Sequence, residues 1–177
     1  MFMNEIVPKS LVEDAIKSYQ EGDYENAARL FGEAASTFTA QGNMLDAAEM
    51  QNNQSVAFLQ AGNPGAAYEA ARGTTSVFAE AGDFRREGIA FANEAAALQA
   101  LGRANDALEK YRLASEAFQR AGEGELRATT MQAIAGIELK RGKIMDAMLT
   151  MQMGLSDVKH PTLKQRILLA LLRFRAW

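Results

Sequence analysis

The sequence predicts an all-α solenoid, and three observations carry that prediction. Glycine recurs every 20 residues, at Gly22, Gly42, Gly62, Gly82, Gly102, Gly122 and Gly142, and a fixed period of this size is the signature of a repeat array. Five residues after alternate glycines stand Ala27, Ala67, Ala107 and Ala147, and four residues later Phe31, Ala71, Tyr111 and Met151, so the unit is 40 residues built of two unlike halves. Between the glycines the apolar spacing is helical: Ala27, Phe31, Ala34 and Phe38 follow i, i+4, i+7, i+11, as do Ala107, Tyr111, Ala114 and Phe118.

The units are expected at about 3–42, 43–82, 83–122 and 123–160, with a separate terminal helix over 161–177. In the first half-repeat Pro8 is expected at a helix start, with Ser10 and Glu13 as a capping box ahead of Ala15, Ile16 and Tyr19. Gly22 closes that helix, since the left-handed conformation at a helix end carries no Cβ penalty for glycine. Asp23, Asn43, Asn63 and Asp83 directly follow their glycines and are good N-caps, so each Gly-Asx pair reads as a stop and a start. Pro64 falls at the first helical position, where its missing N–H costs nothing. Arg103, Glu123 and Lys143 break the capping pattern, which leaves Asn105 as a candidate cap for the sixth helix. Each helix then has about 17 residues and a length of roughly 25 Å, and Gly73 is expected inside one of them. Phe38, Phe78, Phe118 and Val158 share one column of the second helices and are expected in the core.

Composition narrows the chemistry. The chain of 177 residues is long enough for a continuous core, and it contains no cysteine, which excludes a disulfide framework, a thiol nucleophile and Cys-ligated metals. No secretory leader pattern and no apolar run of membrane-spanning length is present, so a soluble cytoplasmic protein is expected. From Lys159 onward there are five bases and no acid, which leaves −8 for the remainder of a chain whose net charge is −3. An acidic body disfavours nucleic acid as a partner, because phosphate contacts need Lys and Arg on one face.

The order of small residue, turn glycine, alanine, aromatic and small residue, seen in Ala95, Gly102, Ala107, Tyr111 and Ala114 and again in Ala15, Gly22, Ala27, Phe31 and Ala34, resembles the tetratricopeptide (TPR) repeat family. Asn53 and Asn93 fall where many members carry Asn on the first helix. The resemblance covers about 1–158 and departs in length, since the usual unit is about 34 residues. It is similar to the extended version found in the soluble attachment proteins of vesicle fusion and in several bacterial regulators. HEAT and armadillo repeats share a similar length, but all three prolines are expected at helix starts rather than inside a first helix.

What the resemblance implies is a right-handed α-solenoid of four TPR-like helix pairs plus a C-terminal capping helix, acting as a non-enzymatic scaffold for a protein or peptide partner. The first helices would line the groove with Glu49, Asn52, Asn53, Val56 and Gln60, then Ile89, Asn93, Ala96 and Gln99, then Gln132, Gly136 and Lys140. Amides dominate, and they suit the backbone of an extended peptide because they offer donors and acceptors together. Relatives that bind chaperone C-termini clamp a carboxylate with Lys, Asn and Arg, and this chain lacks the flanking cations beside Asn53 and Asn93.

No other motif in the sequence is expected to carry chemistry. Met131, Met145, Met148, Met151 and Met153 crowd the fourth unit; a Cu(I) site is the sharper reading, and core packing by an adaptable side chain is the expected one. His160 is the only histidine and has no partner for a ligand set, so no metal and no cofactor are expected. Gly136 with Gly142 and Lys143 misses the P-loop spacing and its Ser or Thr. Over 161–177, Leu163, Ile167, Leu168, Leu171, Leu172 and Phe174 form a broad apolar arc with Lys164, Arg166, Arg173 and Arg175 elsewhere and Trp177 at the end. A helix capping the last unit is expected, with a peripheral membrane anchor or a homodimer contact as the alternatives.

Overall fold

The computed structural model describes residues 3–174, and every regular element among them is an α-helix. In chain order these are α1 (Met3–Gln20), α2 (Tyr24–Ala40), α3 (Met44–Gln60), α4 (Pro64–Ala71), α5 (Thr74–Glu80), α6 (Phe84–Ala100), α7 (Ala104–Ala121), α8 (Gly124–Lys140), α9 (Ile144–Ser156) and α10 (Leu163–Phe174). Consecutive helices pack on each other except across the α4–α5 break, and α3 also packs on α6, so the first helices of the second and third units meet on one side of the stack. The result is an all-α solenoid.

The periodic glycines do what their spacing predicts. All seven have φ between +69° and +83°, and at all seven turns the next residue's N–H reaches back to a carbonyl five residues earlier, from Asp23 to Ser18 at 2.9 Å through Lys143 to Glu138 at 2.9 Å. This is the six-to-one bond of a Schellman ending, which satisfies a carbonyl the helix leaves free. Asp23, Asn43, Asn63 and Asp83 then accept from the N–H three residues on, at 3.2, 3.4, 3.1 and 2.9 Å. Arg103, Glu123 and Lys143 make no side-chain cap.

Small residues fill the interior: Ala15, Ala27, Ala34, Ala67, Ala95 and Ala107 are fully buried, and the gaps between layers take Phe31, Phe78, Leu98, Tyr111 and Phe118. Phe78, Phe118 and Val158 are buried as their column predicts, while Phe38 is half-buried at the edge of the first cluster.

Five expectations need correction. Helix α1 already runs through Pro8, so Pro8 and Ser10 do not mark its start. Asn105 does not cap α7; its Oδ1 accepts from Arg141 Nη2 at 2.8 Å. The terminal helix starts at Leu163 rather than Pro161, through a capping box in which Thr162 Oγ1 accepts from Gln165 N–H (3.3 Å) and Gln165 Oε1 from Thr162 N–H (2.7 Å). Met145 and Met153 are 69% and 46% exposed, so the methionine cluster is not simply core. Finally, the second helix of the second unit is broken. Gly73 has φ +89°, Arg72 before it is extended, and Thr74 restarts the helix as α5 with its hydroxyl donating to Ala71 O at 2.7 Å.

That break reverses the sign expected for a substitution. An alanine inside a regular helix would gain over glycine, but at φ +89° a Cβ is strained even where space is open, as it is at Gly73. Gly73→Ala is expected to lower stability by about 1 kcal/mol, read by urea unfolding. A gain of similar size would mean that α4 and α5 join into one helix in solution.

Candidate functional site: the first-helix face

The residues expected to line a groove lie on the first helices, and the structure divides them into three groups. Asn53 and Val56 line a cavity of about 400 Å³ with Ile16, Tyr19, Gln20 and Phe31. This recess lies where α1, α2 and α3 come together. Tyr19 is fixed by an edge-on contact with Tyr24, ring centroids 5.2 Å apart. The floor is apolar and the rim carries the amides of Gln20 and Asn53, a mixture that suits an apolar side chain whose backbone needs hydrogen bonds.

A second group is structural. Asn52 is 4% exposed and its Oδ1 accepts from Asn93 Nδ2 at 3.3 Å, with Thr74 Oγ1 3.4 Å away. Asn52 is therefore a buried amide joining α3, α5 and α6, which corrects its assignment to the groove surface. The break at Gly73 is what brings Thr74 to it. Asn93, half-buried, spends one amide proton on this link, so the 40-residue column pairs Asn93 with Asn52 and not with Asn53. Glu49 Oε2 accepts from Arg86 Nη1 at 3.1 Å and is likewise engaged.

The third group remains open. Ile89, Ala96 and Gln99 on α6 and Gly136 on α8 are half-buried, whereas Gln60, Gln132 and Lys140 are exposed. Gln99 Oε1 is buried without a hydrogen-bond partner.

Sequence reasoning missed Arg86, which ties the face together. It donates to Asp83 Oδ2 from Nε at 2.6 Å, reaches Glu49 on the neighbouring first helix, and lies over the Phe78 ring at 5.3 Å. The signal was present in the i, i+3 spacing of Asp83 and Arg86 on one helix turn. The Arg86 backbone N–H, and then its guanidinium, hold the Asp83 carboxyl below the usual carboxylate range, and the Asp83 bond raises Arg86. Asp83 thus contributes stability that is present above its unfolded pKa and is lost as pH falls through the lower folded value. Ile16, Tyr19 and Gln20 were also missed as site residues, because the cavity needs α1 and α3 in register, which no local pattern displays.

Away from this face, Glu94 is buried against Lys110 Nζ at 2.6 Å, and Lys110 lies over Phe91 at 5.4 Å. These contacts tie α6 to α7 through a carboxylate that is itself buried. The side chains of Leu168, Leu171, Arg173 and Phe174, together with Arg175 and Trp177, lie outside the described residues.

No protein-family model and no curated protein matches the sequence. Solved structures do match. A kinesin light chain protein of nearly identical TPR-like repeats from Podosopora anserina superposes with a TM-score of 0.74 at 16% identity, covering 99% of this chain and 89% of that one. BtubC (BKLC) from P. vanneervenii superposes with a TM-score of 0.69 at 16% identity, covering 92% and 70%. Both likenesses run through the stacked helix pairs described above, and the chain has a TPR-like repeat fold.

Proposed function

We propose that the chain is a non-enzymatic interaction scaffold that holds an extended peptide or a partner helix along the first-helix face. The observation that supports this most is the recess of Ile16, Tyr19, Gln20, Phe31, Asn53 and Val56, which offers an apolar floor beside free amides on the inner side of a repeat stack. Helical repeats of this kind use their stacked face to bind proteins. The site is the first-helix surface from α1 through α8, with the recess as anchor and Gln60, Ile89, Ala96, Gln99, Gln132 and Lys140 along the track. Asn52, Asn93 and Glu49 hold the helices that carry it.

The test begins with affinity capture of a partner from the native host, followed by measured affinities. Asn53→Ala removes one hydrogen-bonding group, worth about 0.5–1.5 kcal/mol, and is expected to weaken binding roughly 2- to 12-fold. Val56→Asp, which puts a charge on the apolar floor, is expected to weaken it further. Arg29→Ala, on an exposed outer position, is the control and should leave the affinity unchanged. Equal losses at all three positions, or a loss only at Arg29, would remove the recess from the binding site.

A further inference from the structure

The outward face of α9 departs from the rest of the array. Met145, Leu149 and Met153 are spaced i, i+4, i+8 and are 69%, 59% and 46% exposed, so they form an apolar stripe in solvent. The same column in the first unit holds Glu25, Arg29 and Glu33, and in the third Asn105, Glu109 and Leu113. Those positions are exposed, apart from the half-buried Leu113, even though further helices follow them. The stripe is therefore not the raw end of a stack that one more unit would cover. It is an outer surface made apolar in this unit alone, and α10 adds Leu163 and Ile167, 71% and 53% exposed.

Charge is segregated in the same place. Residues 139–177 contain eight Lys and Arg against Asp146 and Asp157, a net of +6, which leaves −9 for residues 1–138 out of the chain's −3. Lys140, Arg141, Lys143, Lys159, Lys164 and Arg166 are all exposed. Asp157 is paired with Arg127 and Asp146 with Lys143, so neither acid stands alone against the cations. Exposed apolar side chains set among cations, at one end of an acidic body, match an anionic lipid surface: the cations meet headgroups, the Met and Leu side chains enter the acyl boundary, and the body is repelled. Pairing two such ends across a twofold axis would oppose +6 with +6, which disfavours a second copy. The recess that Met153 lines is rimmed mainly by polar and charged groups, among them Arg112, Glu116, Gln119 and Glu138, and is not the apolar groove that a partner helix packs into. No helix among the described residues is long and apolar enough to cross a membrane, so the contact is interfacial.

We infer that the α9 stripe and the cations around it form an interfacial docking surface for anionic membranes, separate from the first-helix groove. The test is sedimentation of the full chain with phosphatidylcholine vesicles with and without phosphatidylserine. The protein should sediment with the anionic vesicles only and be released by added salt. Replacing the stripe (M145E, L149E and M153E together) should cut the bound fraction by about tenfold or more, with an unchanged helical circular dichroism signal because the three side chains are exposed. L163E and I167E should weaken binding less than the stripe variant. No sedimentation with anionic vesicles overturns the inference, and so does binding that depends on α10 alone. Sedimentation velocity without vesicles supplies the remaining outcome: a wild-type dimer that the stripe variant turns into a monomer would make this face an interface between copies instead.

Discussion

Phe118→Ala is expected to cost about 3–5 kcal/mol, the range for truncating a buried aromatic. Phe118 is 2% exposed and continues the column that Phe78 holds one unit earlier. Its ring leans on Gly88 of α6, where an added Cβ would meet Cδ1 and Cε1 at 2.7 Å. The ring therefore fills the space between α6 and α7 that glycine leaves, and no smaller side chain can follow it there. Thermal or urea unfolding of the variant gives the number. A cost under about 1 kcal/mol would show that the third unit collapses readily around the loss, contrary to the close packing of the helices.

Gly124→Ala is expected to destabilise by about 1–3 kcal/mol or more through overpacking. A Cβ at Gly124, the first residue of α8, collides with the backbone oxygen of Asp157 and lies 3.0 Å from its carbonyl carbon. Both sides of this contact are main chain, and Asp157 is tied to α8 by its ion pair with Arg127. Gly32→Ala is the instructive control. There the added Cβ meets only the amide of Gln54, whose Nε2 donates to Ala28 O at 3.0 Å. Losing that bond costs about 0.5–1.5 kcal/mol, and replacing glycine in a helix interior returns about 1 kcal/mol, so the net change should be near zero. Equal unfolding midpoints for the two variants would mean that α8 and α9 separate at no cost.

The pair also shows where sequence reasoning stops. The periodic glycines, their Asx caps and the buried aromatic column are properties of single turns or of one repeated spacing, and they were readable for that reason. Gly124 looks like any helix-start glycine until α9 is brought back against α8. Gly73 looks like a helix interior because the 20-residue ladder places no stop there; the break depends on Thr74 finding Ala71 O and the buried Asn52. Within the candidate face, one of two adjacent amides expected at the surface is buried. Asn52 and Asn53 differ by about 100° around the helix, and periodicity alone does not say which of two adjacent amides turns inward. Only the link from Asn52 to Asn93 decides it, and that link spans 41 residues. The methionines of α9 are visible in the sequence, but methionine fills cores as readily as it lines surfaces, and the exposure of Met145 and Met153 follows from their place in the outer column.

Under the proposed function partners bind along the first helices, and hydrogen exchange of the free and partner-bound protein reads this out for every helix at once. Slowed exchange confined to α1, α3, α6 and α8, strongest around Ile16–Gln20 and Asn53–Val56, is expected. Protection confined to α2, α7 and α9, with the first helices unchanged, would contradict it.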